Sequence, residues 1–206
     1  MEAENLKVYD TNIAQKIIDL KNADLALRDE LLKSGQLNDG YSEAMRELHN
    51  SNAKTLNVII DNIGYPTIDK VGREANEAAW LVIQHAIENP AFMMKCAQLL
   101  AIAISENKAD PKHLAYLTDR IAVFKGEPQL YGTQFDWDEN GNLAPNLFDN
   151  LTKVNIRRQL IGLKSLEEQI NIMQTRVKEE KQSPPVYFKK RQQEMLAWKV
   201  KVGWII

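Results

Sequence analysis

Apolar and polar positions follow a helical period along most of this chain, and one stretch stands out. Over residues 71–89, Val71, Ala75, Ala78, Val82 and Ala86 form one apolar stripe. Trp80, Ile83 and Ile87 form a second stripe on roughly the opposite side, and Glu77, Gln84 and Glu88 share the polar strip between them. A helix apolar on two sides has neighbours packed on both, so this segment is expected to be the most buried helix, stopping before Pro90. His85 falls on its first apolar face.

The same reading places a first helix over residues 11–32. Its stripe is Ile13, Ile17, Leu20, Ala23 or Asp24, and Leu27, with Thr11 or Asn12 as the cap. Asn38-Asp39-Gly40 is a turn cluster. A second helix spans 42–62, with Met45, Leu48, Asn52, Leu56 and Ile59 or Ile60 on one side. Further helices follow over 92–106 and from Pro111 until Gly126 closes the second of them. The pattern breaks over 127–150, where Asn140-Gly141 signals a hairpin. Helix returns over 151–161 and again from Ser165, whose capping box is completed by Glu168. The Pro184-Pro185 pair marks a boundary, and Phe188, Met195 and Trp198 predict a last amphipathic helix.

These elements predict a mainly α fold: a bundle-like single domain of many helices with a short β-ribbon or ordered loop at about 129–143. Residues 1–183 are expected to form the helical body, and 184–206 a helical appendage docked on the body or on a partner. Trp204, Ile205 and Ile206 are too apolar to hang free in water, so a homodimer or a protein partner through this tail is one of the expected outcomes.

Charge changes the picture little. The net charge is −2, with −9 over residues 1–152 and +7 over 153–206, so no bulk argument favours nucleic acid. No apolar run is long enough to span a membrane and no signal peptide is evident, which leads to a cytoplasmic expectation, with a removed leader as the exception. Cys96 is the sole cysteine; it suits a reducing compartment and reads as a small buried hydrophobe.

Candidate chemistry centres on His85, a general acid or base set in a helix, against the plainer reading of a hydrogen-bonded core histidine. Asp119-Arg120 reads first as an ion pair, and Arg157-Arg158 as surface charge or an anion clamp. Asp136-x-Asp138-x-Asn140-Gly141 matches half of a calcium loop, but Leu147 stands where the bidentate Glu belongs, so a solvated turn is expected. His49, His85 and His113 have no ligand spacing, and no metal or cofactor motif occurs.

Several segments combine in a resemblance: Val71-Gly72, residues 78–86 (AAWLVIQHA), 114–120 (LAYLTDR), 129–134 (QLYGTQ), and Asn155-Ile156-Arg157-Arg158 with Gly162-Leu163. In this order they resemble a bacterial family known as domain of unknown function 6624, over about residues 56–166; the first helix and everything past 169 fall outside. The resemblance brings no reaction with it. It implies a pattern written in polar residues: Gln84, His85, Asp119, Arg120, Gln129, Tyr131, Thr133, Gln134, Arg157 and Arg158. The expectation is a cofactor-independent enzyme acting on a small polar or anionic substrate. His85, Asp119 and Tyr131 would be catalytic, with Asp119 orienting His85. Gln84, Arg120, Gln129, Thr133, Gln134, Arg157 and Arg158 would bind substrate. The alternative is a non-catalytic binding or interaction module whose polar cluster is structural.

Overall fold

The computed structural model describes residues 10–36 and 41–205, so the Asn38-Asp39-Gly40 turn and Ile206 lie outside the described residues. Among these residues the fold is mainly α, with one two-stranded antiparallel ribbon. The chain falls into two compact units, Met1–Asp110 and Pro111–Ile206. The boundary between these units falls between the fourth and fifth helices.

The first unit holds α1 (Thr11–Lys33), α2 (Glu43–Ile63), α3 (Ile68–His85) and α4 (Pro90–Ser105). Asp10, not Thr11 or Asn12, caps α1: its carboxylate accepts from the Asn12 and Ile13 amides. Ser42 caps α2 through the Met45 amide. α3 packs against α1, α2 and α4, with Val71, Ala75, Ala78 and Val82 buried on one side and Ile83 on the other. It breaks at Gly72, whose φ of 79° and ψ of 163° belong to a region that only glycine enters readily.

Two polar positions depart from the expected faces. Gln84 is buried rather than set in a solvated strip, and on α2 it is His49 rather than Leu48 that points into the core beside Met45, Asn52 and Leu56. On α1 the ambiguity between Ala23 and Asp24 resolves to Asp24: it sits at heptad spacing between Ile17 and Leu31 and is 0% exposed. Cys96 is buried on α4, and burial pushes its thiol up to about 12, which leaves it inert as a nucleophile.

The second unit holds α5 (Pro111–Lys125), β1 (Phe135–Trp137), β2 (Leu143–Pro145), α6 (Leu151–Leu160), α7 (Leu166–Glu179) and α8 (Phe188–Val202). The ribbon pairs Phe135 with Pro145, Asp136 with Ala144 and Trp137 with Leu143, and the Asn140-Gly141 pair makes its turn. The Asp138 carboxylate accepts from the Asn140 and Asn142 amides, so it serves the turn's own backbone. The capping box of Ser165 and Glu168 opens α7. The tail docks within this unit: Trp204 is buried, Phe124 meets the rings of Trp198 and Trp204 at 5.4 and 5.0 Å, and Lys199 donates to the Val123 carbonyl.

Candidate functional site

Helices α1, α2 and α3 bring three ionisable side chains together inside the first unit. Asp24 comes from the middle of α1, His49 from α2, and His85 is the last residue of α3. Their ligand-type atoms all lie within 4.8 Å of one another. One carboxylate oxygen is shared: Asp24 Oδ2 lies 2.7 Å from His85 Nδ1 and 3.0 Å from His49 Nε2. The first contact is a hydrogen bond; the second is an ion-pair approach. The two imidazoles lie 4.9 Å apart, centroid to centroid, at 40°. The Tyr41 hydroxyl lies 2.6 Å from His49 Nδ1, and its ring stacks on that imidazole.

Burial by itself would raise the Asp24 carboxyl, but the two imidazoles beside it more than offset this and hold it well below the usual carboxylate range. Asp24 is therefore ionised at neutral pH. Its partners differ in access: the His49 side chain is 7% exposed and that of His85 is 29% exposed. Held through Nδ1, His85 leaves Nε2 as its other ring nitrogen. A groove of about 690 Å³ on the same unit is lined by Asn50, next to His49 in the chain, and by Glu88, three residues beyond His85. Lys54, Asn57, Asn89 and Lys95 line it too.

Most residues singled out from the sequence assemble elsewhere, in the second unit. Asp119 is buried, and its carboxylate accepts from the backbone amides of Leu130, Tyr131 and Thr133. It therefore does not orient His85; the carboxylate bonded to His85 is Asp24. Burial pushes the Asp119 carboxyl above its ordinary value, against the pull of those amides. Gln129, fully buried, accepts from the Gln134 amide and donates to the carbonyls of Gln134 and Asn146. Arg120 donates to the Gln134 side chain, which itself donates to Thr133. Arg158, 2% exposed, donates to the carbonyls of Tyr131 and Lys164. Arg157 donates to Asp149 and to the Leu130 carbonyl. These groups hold one loop, residues 129–134, in a single conformation.

Gly132 shows how tightly that loop is held. Its φ is +63°, and a Cβ there would stand 2.9 Å from Cδ1 of the buried Leu166. Gly132→Ala is expected to cost ~2–3 kcal/mol, the sum of the left-handed penalty and the crowding. Urea unfolding measures it, and a variant within ~0.5 kcal/mol of wild type would show that the loop can relax.

The sequence model of one family, described as a Family of unknown function (DUF6624), matches residues 11–178. The chain belongs to that family. The match takes in α1 and most of α7, both outside the segment over which the sequence alone showed the resemblance. Asp24 and His49 thus lie within the DUF6624 region, although the earlier segment stopped short of both. No curated protein and no solved structure matches the chain. No helix among the described residues is long and apolar enough to cross a membrane.

Asp24, His49 and Tyr41 are the site residues that sequence reasoning missed. One signal was present: Asp24 and His49 are polar residues at core positions of amphipathic helices, where a charge is costly unless it is partnered.

Proposed function

We propose that this DUF6624 protein is an enzyme whose chemistry is carried by the Asp24–His85 pair, acting on a small polar or anionic substrate in the cytoplasm. The observation that carries the reading is the shared carboxylate. Asp24, kept ionised, accepts the Nδ1 proton of His85 and so fixes its tautomer. The lone pair is then on Nε2, the nitrogen of the more exposed ring. That is the arrangement of a general base: Nε2 takes a proton from the substrate, and Asp24 stabilises the imidazolium that forms. The amide and lysine side chains of the neighbouring groove suit a polar or anionic substrate.

The test is a panel of small esters, amides, lactones and phosphomonoesters, offered to wild type and to His85→Gln. The expected result is turnover of at least one member, with a loss of ~10²–10⁴-fold in the variant at unchanged circular dichroism. Equal turnover in the two proteins, or none by wild type, would refute the reading.

A second reading, a non-catalytic interaction module, is supported by the second unit. There Asp119, Gln129 and Arg158 are engaged with the loop's own backbone. On α8, Leu196 and Val200 are 56% and 54% exposed at one-turn spacing. A silent panel together with self-association lost in Leu196→Glu would favour it.

A further inference from the structure

We propose that Asp24, His49 and His85 form a binding site for one divalent transition-metal ion of the Zn²⁺ type. The inference rests on the reading of this cluster as the chemical centre and adds to it the ion that would sit there.

Asp24 Oδ1 and His49 Nε2 are both buried, and neither has a hydrogen-bond partner among the described residues. Asp24 is 0% exposed. Leaving a buried acceptor without a donor is costly, and buried charges are usually either paired or bound to metal. Here three donor atoms of the right kind converge: one carboxylate oxygen and two imidazole nitrogens.

The outer contacts favour a cation over a proton. A proton shared between His49 Nε2 and Asp24 Oδ2 would need an aligned hydrogen bond. At 3.0 Å the distance allows one, yet His49 Nε2 has no hydrogen-bond partner among the described residues. On the far side of the ring, Nδ1 lies 2.6 Å from the Tyr41 hydroxyl. When Nδ1–H donates to that oxygen, the Nε2 lone pair faces the carboxylate, and two lone pairs so placed repel unless a cation lies between them. Metal-bound histidines characteristically donate their second nitrogen to such an acceptor.

The geometry suits a small ion. Donors on ~2.1 Å bonds in a tetrahedral set stand ~3.4 Å apart. Asp24 Oδ2 already lies 2.7 and 3.0 Å from the two nitrogens, and no pair of donor atoms exceeds 4.8 Å. Each donor comes from a different helix, so small shifts of α1, α2 and α3 adjust the set. Nitrogen with a single carboxylate favours the borderline ions of the zinc series over calcium or magnesium, which prefer all-oxygen sets. Three protein ligands leave a position for water. Held through Nδ1, His85 would carry its proton on Nε2, and a bound ion would supply Lewis-acid chemistry beside it.

The test uses the full chain, stripped with a chelator and titrated with Zn²⁺ by calorimetry and with Co²⁺ by visible absorption. One ion per chain is expected, at micromolar affinity or tighter, with a higher melting temperature when it is bound. Asp24→Asn, His49→Gln and His85→Gln should each weaken binding more than ~100-fold, and Tyr41→Phe about tenfold. Should Asp24→Asn fail to fold, His85→Gln decides, because its ring is the one partly exposed to solvent. The proposal is overturned by absence of saturable binding, or by full binding in a folded His85→Gln variant. The two readings separate cleanly. Turnover by metal-free protein that binds no Zn²⁺ removes the metal and keeps the acid–base pair. Stoichiometric binding with a silent panel keeps the metal and removes the enzyme.

Discussion

Ala78→Asp is expected to unfold the first unit at physiological temperature. Ala78 is 0% exposed on α3, on the face shared with Val71, Ala75 and Val82. α3 packs against α1, α2 and α4, so a carboxylate there has no short path to water. An unpaired charge left in a core costs ~3–5 kcal/mol even when it once had a partner. That is a large share of the ~5–15 kcal/mol that holds an ordinary domain together. Circular dichroism melts are the measurement. A cooperative transition at the wild-type temperature would show that α3 is not the central helix.

Asp119→Ala should be of comparable size and fall in the second unit. It strips the acceptor from three buried or half-buried backbone amides, those of Leu130, Tyr131 and Thr133. Each orphaned amide costs ~1–3 kcal/mol, and removal of a buried charge returns part of that. A net loss of ~3–5 kcal/mol is expected, with Asp119→Asn in between, since an amide keeps one acceptor oxygen. Hydrogen exchange gives an independent reading: the amides of Leu130, Tyr131 and Thr133 should lose protection before the rest of the unit. Wild-type stability with unchanged exchange would mean that Arg158 and Gln129 hold the loop alone.

Helices were legible in the sequence because their stripes are long and their punctuation is strong. Pro111, Gly126 and the Ser165 capping box each fall at an observed helix end. The ribbon was legible through Asn140-Gly141. The polar loop was half legible: its residues stand out in the sequence, but their use in fixing backbone depends on where Asp119 points, which spacing does not reveal. The Asp24–His49–His85 cluster was the least legible part. Metal and catalytic motifs read well from sequence when one helix or turn supplies two ligands, as in His-x-x-x-His. Here each helix supplies one residue, so no spacing is shared. Assigning Leu48 instead of His49 to the α2 core, a turn of only 100° on a helix, was enough to hide it.

Asp24 and His85 stand 61 residues apart, with His49 between them. Closing so long a loop is entropically costly, and it is made good only when α3 has docked on α1. The contact therefore belongs to the late part of folding, after the local helices have formed. During synthesis Asp24 and His49 leave the ribosome first, and the nascent chain has no complete centre until α3 has followed and found its place. A product truncated before residue 85 keeps the aspartate but loses the imidazole that stands 2.7 Å from it. No premature fragment of that length can form the Asp24–His85 contact.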